Sequence, residues 1–208
     1  MESIDYKVFI KIKKAKRGSL FFTEDFLHLG ASKAVSKALE RLVEKEELSR
    51  VARGIYARLK IDPVLGEILP TIEEIAEAIR RRDKARIVPA GALALSALGL
   101  SMKVPVDSVY LTDGAARIIQ IGRSKIIFKK TTPRNLAAIG SISSLAIQAL
   151  REIGKDNVTL DEINSILKQL EIEESYRLRH DIKLAPEWIR IIMRRALKTQ
   201  KSTNKFGI

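Results

Sequence analysis

The chain has 208 residues, no cysteine and two histidines, with 38 Lys and Arg against 25 Asp and Glu, a formal charge of +13. Disulfides, thiol nucleophiles, thiolate zinc sites and histidine-rich metal centres are therefore excluded. With 46% apolar residues the chain can bury the core of one large or two small domains, and its charge favours polyanionic partners through field effects and counterion release without naming one.

The opening MESIDYKVFIKIKKAKRG is charged and lacks the apolar run of a signal peptide. The most apolar stretch, IVPAGALALSALGL, holds Pro89 and two glycines and is too short to span a bilayer. A soluble cytoplasmic protein is expected.

Ile4, Val8 and Ile12 recur at four-residue steps with Phe9 beside them, which predicts an amphipathic helix over residues 3–16. KKAKRG closes it, with Gly18 as the stop. Lys14, Lys16 and Arg17 suit a helix C-terminus electrostatically. They read either as a solvated helix end or as secondary phosphate contacts. In FTEDFLHLG, Thr23 is expected to cap a short helix whose first turn holds Glu24 and Asp25 and whose buried side is Phe22, Phe26 and Leu27. His28 reads as structural or exposed, and Gly30 as a sharp turn.

Ser32 to Glu47 is the clearest element. Val35, Ala38, Leu39 and Leu42 form one stripe, and Lys33, Ser36, Lys37, Glu40 and Glu44 lie opposite. The outer face is lysine and serine in its first half and glutamate in its second. A recognition helix enters the major groove with its first turns, which fits that asymmetry. LSRVARGIYARLK then supplies β-branched and aromatic residues around Gly54, the pattern of a short hairpin. Helix, helix, turn, helix, basic hairpin is the order of a winged helix-turn-helix. Arg50, Arg53 and Arg58 are its candidate phosphate or minor-groove contacts, because arginine offers several fixed donors. A domain of residues 1–62 is expected.

Asp62 to Pro70 carries prolines and a glycine and reads as a connection or broken helix. Thr71 with Glu74 makes a capping box, and Ile72, Ile75, Ala76 and Ile79 mark the buried side of the helix that follows. RRRDKAR ends it. Arg80, Arg81 and Arg82 read either as a solvated terminus or as further phosphate contacts. A second, α+β domain of residues 70–200 is expected. It begins with a small-residue helix after Pro89, then strands in VDSVYLTDG and ARIIQIGRSKIIFKK. Helices follow: Leu136 to Ile153 packing Ile139, Ile142, Leu145, Ala146 and Leu150, one capped at Thr159 with Glu162, an unclear stretch at Tyr176 to Leu184, and a last one from Pro186 with Trp188 toward the core. The tail KTQKSTNKFGI is expected to fray. The fold class is α+β: an N-terminal winged helix-turn-helix, a mixed α+β domain and C-terminal helices.

No glycine-rich dinucleotide or phosphate loop occurs, and no nucleophile elbow surrounds a serine. His180 and Asp181 are adjacent in sequence and need not face the same way. No catalytic residue, metal or cofactor is assigned.

LERLVEKEELSRVARGIYAR resembles the N-terminal winged helix of AbiEi-type antitoxins of type IV abortive-infection systems. AGALALSALGL with VYLTDGAARIIQIGRSKIIFKK resembles their second domain. Within that group the chain is most similar to the DUF6088 family, over about residues 15 to 150. The resemblance implies a transcriptional repressor that binds inverted repeats in its own promoter and antagonises a nucleotidyltransferase-like toxin. It carries DNA contact over to Lys33, Ser36, Lys37, Arg50, Arg53 and Arg58, and antitoxin activity to the second domain. An inverted repeat also allows a homo-oligomer on DNA. The alternatives from the residues alone are a non-catalytic protein-interaction module and an unrecognised nucleic-acid enzyme.

Overall fold

A computed structural model describes residues 3–203. The chain forms two compact units, residues up to Arg82 together with Ile119–Ser124, and Asp83–Ile118 together with the chain from Lys125. The architecture is α+β, with helix and strand elements at the N-terminal end and helices at the C-terminal end.

In the first unit, helix α1 (Ile4–Lys14) starts at Ser3, whose hydroxyl accepts the Tyr6 N–H. It ends at Ala15, which is extended. Arg58 closes that end, its Nη1 donating to the carbonyls of Lys13 and Ala15. Strand β1 (Leu20–Phe22) leads into a 3-10 helix (Thr23–Leu29). The Asp25 carboxylate accepts the Phe22 N–H at 2.8 Å, so Thr23 is the first residue of this helix and not its cap. At three residues per turn, Leu27 turns away from buried Phe26. It is 42% exposed, against the expectation that it lined the buried side.

Helix α2 (Ser32–Glu44) has Ala31 in the cap position and Ser32 as its first residue. It stops three residues short of Glu47. Glu46 takes a φ of 59°, and the N–H groups of Glu47 and Leu48 return to the Leu42 carbonyl at 3.0 and 3.3 Å. Gly30 serves packing: its φ is extended, and a Cβ there would stand 2.4 Å from Ile4 Cδ1.

Strands β2 (Ser49–Ala52) and β3 (Ile55–Ala57) join β1 in the antiparallel order β1-β3-β2. Arg53 and Gly54 make the two-residue turn, and the φ of 72° at Gly54 is one that suits glycine. Val8, Ile12, Phe26, Val35, Ala38 and Leu39 are fully or almost fully buried in the core these elements share. Each larger apolar side chain there contributes about 1.5–3 kcal/mol.

Residues 60–68 correct the sequence reading. They are neither a bare connection nor a broken helix but a second hairpin, β4 (Lys60–Asp62) with β5 (Gly66–Ile68). Asp62 Oδ1 accepts the N–H groups of Val64 and Leu65 at 2.8 and 2.9 Å, an Asx turn. Of the residues that read as breakers, Pro63 opens the turn, and Gly66, with a φ of 76°, begins β5 opposite Asp62. Helix α3 (Ile72–Asp83) has the expected capping box: Glu74 accepts the Thr71 N–H at 2.9 Å and donates its own N–H to Thr71 Oγ1.

Strand β6 (Ile87–Ala90) and helix α4 (Ala92–Ala97) precede strands β7 (Asp107–Thr112), β8 (Arg117–Ile121) and β9 (Ser124–Lys130); the sheet order is β6-β7-β9-β8, and all of it lies in the second unit except the β8–β9 tip, Ile119–Ser124. Pro89 lies inside β6 and is tolerated because β6 is an edge strand. Strands β7 and β9 run parallel.

Four helices follow: α5 (Ser141–Ile153), α6 (Leu160–Ile172), α7 (Ser175–Ile182) and α8 (Glu187–Thr203). Thr159 and Glu162 cap α6 as expected. Leu150, Ile166, Leu170, Leu178, Ile189 and Met193 fill their common core, with Trp188 packed against it. Pro133–Leu136 is a separate 3-10 turn, so the helix expected from Leu136 begins only at Ser141, and Ile139 is 49% exposed instead of packed.

The start of α5 explains that shift. Asp181 accepts the N–H groups of Ile139 and Gly140, and Glu173 accepts those of Ile142 and Ser143. Two buried carboxylates thus meet the positive end of a helix. The tail also departs from expectation, because α8 continues to Thr203. Gln200 Nε2 donates to the Leu170, Glu171 and Glu173 carbonyls and ties the last turns down. The rest of the expected frayed tail lies outside the described residues. Among the described residues no helix is long and apolar enough to cross a membrane.

Candidate nucleic-acid interface

Bare cations stand on α2 and on the β2–β3 hairpin of the first unit. On α2, Val35, Ala38, Leu39 and Leu42 are buried, which turns Lys33 and Lys37 outward one turn apart. Both are exposed, and neither makes an ion pair among the described residues. Ser36 between them is half-buried. Glu40 and Glu44 follow on the exposed side, so the free positive charge is confined to the first turns. Arg41 is spent on α1, its Nη1 standing 2.6 Å from Asp5 Oδ2.

The second place is the β2–β3 hairpin. Arg50 is exposed in β2 opposite Tyr56, and Arg53 is exposed at the turn. Neither has an ion-pair partner among the described residues. Arg58 differs. It is half-buried, and its guanidinium is occupied by the two carbonyls that end α1. Its first duty is to hold α1.

The secondary phosphate candidates also divide. Lys14 and Lys16 are exposed and make no ion pair among the described residues. Arg17 donates to the Leu59 carbonyl at 3.3 Å. Arg80 donates twice to Glu77, at 2.6 Å each, and Arg81 stands 3.8 Å from the same carboxylate. Arg82 lies 4.2 Å over the Phe22 ring and 3.7 Å from Glu24. Arg17, Arg81 and Arg82 line a cleft beside Asp25, Glu74 and Glu77, where carboxylates balance them. The hydrogen bonds from Arg80 hold the Glu77 carboxyl below its usual range.

Sequence reasoning missed Lys7 and Lys11. With Lys14 they line one shallow groove on α1 beside Tyr6 and Ile10. Their spacing of i, i+4 and i+7 was the available signal. Lys11 Nζ donates to the Asp25 carbonyl at 2.6 Å and lies 5.1 Å over the Phe26 ring.

His180 and Asp181 do meet, with Nδ1 2.7 Å from Oδ1. The arrangement is not that of a nucleophile. Ser143 is fully buried and donates to the Asp181 carboxylate, not to the imidazole, so Asp181 serves the start of α5. Among the described residues no group of three or more His, Cys, Asp or Glu could hold a metal ion.

The family model described as DUF6088, a family of unknown function, matches residues 7–178. The chain belongs to this family. No curated protein matches the sequence. Among solved structures the chain is similar to the RV2827C protein from Mycobacterium tuberculosis, at 12% identity over 94% of this chain and 80% of that one, with a TM-score of 0.44. So loose a likeness bears on neither fold nor function.

Proposed function

We propose that this DUF6088 protein is a sequence-specific DNA-binding transcriptional repressor that controls its own promoter as the antitoxin of a type IV pair. The observation that carries the DNA-binding part is the free positive charge at the start of α2, in the place of a recognition helix. Lys33 and Lys37 are exposed there without partners among the described residues, while the opposite face is buried.

In this reading residues 1–62 are a winged helix-turn-helix. The first turns of α2 enter the major groove with Lys33, Ser36 and Lys37, since Glu40 and Glu44 would meet phosphates if the whole helix entered. Arg50 and Arg53 reach the backbone or the minor groove. Arg58 supports binding by holding α1, and Lys14 and Lys16 add phosphate contacts. Arg17 and Arg80 to Arg82 contribute less, because carboxylates or carbonyls already occupy them.

The antitoxin part rests on the sequence resemblance. It assigns antagonism of a nucleotidyltransferase-like toxin to residues 70–200, with no catalysis by this chain. Footprinting the full chain on the DNA upstream of its own gene tests the reading. Protection of an inverted repeat, with weaker binding to random duplex of equal length, is the expected result. Equal affinity for both sequences removes the repressor reading, and a neighbouring gene unrelated to nucleotidyltransferases removes the antitoxin part alone.

A further inference from the structure

Helix α5 carries a second feature, independent of the winged-helix reading. Ser144, Gln148 and Arg151 stand at i, i+4 and i+7 on one face. They line a narrow crevice together with Arg134 and Asn135. Gln148 is only 5% exposed, yet its amide makes no hydrogen bond among the described residues. The Ser144 hydroxyl likewise has no partner among them. Among the described residues the wholly enclosed side-chain nitrogen or oxygen without a partner is Arg117 Nε, so the Gln148 amide opens onto the crevice and is available to a ligand there.

The two arginines sharpen the case. Arg151 Nη1 donates to Asn135 Oδ1 at 3.0 Å, and Asn135 is itself fixed by donating to Thr131 Oγ1 at 2.8 Å. Arg134 Nη2 donates to the Lys183 carbonyl at 3.3 Å. A neutral amide and a carbonyl therefore orient two guanidiniums, and no carboxylate pairs with either among the described residues. Burial, and then the charge of Arg134, pull the Arg151 guanidinium below its ordinary range. Like charges are held together, each guanidinium anchored by one neutral acceptor and neither neutralised by a carboxylate among the described residues.

We propose that this crevice binds a phosphoryl oxyanion through Arg134, Arg151, Ser144 and Gln148. An acceptor-only group with more than one negative charge satisfies two guanidinium forks, an amide N–H and a hydroxyl together. Tetrahedral oxygens suit donors that line one crevice from two elements of the fold, Arg134 on the 3-10 turn and Ser144, Gln148 and Arg151 along α5. The crevice has room for little more than one water-sized group. One oxygen of a phosphoryl group enters it and the rest of the group stays at the mouth, whether it is free phosphate or one unit of a nucleic-acid backbone.

The test uses the full chain and inorganic phosphate. Thermal unfolding is followed as phosphate replaces chloride at constant ionic strength, beside the salt dependence of affinity for a random DNA duplex. Two variants are compared, Arg134→Gln at the rim and Gln148→Met inside. Methionine keeps the volume and removes the unpaired amide, so Gln148→Met keeps or raises the midpoint without phosphate.

If free phosphate is the ligand, it raises the wild-type midpoint saturably, both variants lose the rise, and the DNA salt slope is unchanged. If the group belongs to DNA, Arg134→Gln lowers the log–log slope by about one. The proposal is overturned if neither measurement responds to either variant. It is equally overturned if Gln148→Met lowers the phosphate-free midpoint, because the amide would then be spent inside the fold.

Discussion

The Asp181 carboxylate accepts the Gly140 N–H at 2.8 Å, a bond across 41 residues that fixes where α5 begins. Gly140 has to be glycine for this, since a Cβ would stand 2.4 Å from Ser143 Oγ and 2.5 Å from Glu173 Oε2. Asp181→Ala leaves the N–H groups of Ile139 and Gly140 and the Ser143 hydroxyl without their acceptor. A lost cap combined with buried unsatisfied donors costs about 2–4 kcal/mol. Urea unfolding monitored by circular dichroism measures it, and Asp181→Asn should cost less because one acceptor remains. A change under about 0.5 kcal/mol in Asp181→Ala would mean that α5 does not depend on this cap.

Arg53 and Arg58 are expected to behave in opposite ways. Arg58 closes the end of α1, so Arg58→Ala exposes carbonyls and lowers stability by about 1 kcal/mol. Arg53 makes no ion pair among the described residues and is exposed. Arg53→Ala should leave the unfolding midpoint unchanged, weaken specific and random DNA alike, and flatten the log–log salt slope by nearly one unit. Titrations at several salt concentrations separate the two. A stable Arg53→Ala protein with the wild-type slope takes Arg53 off the interface.

Helix α2 and the β2–β3 turn were legible because their signals are local. The Val35, Ala38, Leu39 and Leu42 stripe and the glycine after Arg53 act within a few residues of themselves. The Thr71–Glu74 and Thr159–Glu162 boxes were readable for the same reason. Residues 60–68 were misread because Pro63 and Gly66 serve a hairpin as well as a break, and only pairing distinguishes them. The start of α5 was illegible because its caps come from residues 30 to 42 positions away. The same holds for the candidate interface. Lysine and arginine positions were visible, but which of them were already occupied was not: Arg58 by carbonyls, and Arg80 by a glutamate one turn earlier.

Acid stability follows from the carboxylates that arginine and lysine hold. Hydrogen bonds from Arg80 lower the Glu77 pKa below its ordinary 4.5, and a hydrogen bond from Lys60 lowers that of Glu74. A carboxylate with a depressed folded pKa contributes stability that is complete above its unfolded value. That contribution is lost as pH falls from about 4.5 through the lower folded value. Glu77 is partly exposed, so its share at neutral pH is about 0.2–1 kcal/mol. Unfolding free energies of Glu77→Gln should fall less steeply than wild type below pH 4.5. Parallel curves across that limb would contradict the pairing.

In the proposed function the first turns of α2 read DNA. The most direct measurement is the affinity of Lys33→Ala with Lys37→Ala for the protein's own promoter and for a random duplex, at one fixed salt concentration, by quantitative gel shift. Both side chains are exposed and outside the core, so helical content and unfolding midpoint should match wild type. Promoter affinity should fall more than random-duplex affinity, by about 1–3 kcal/mol for each base-edge contact that is bidentate. Unchanged promoter affinity with unchanged preference over the random duplex would contradict that role of α2.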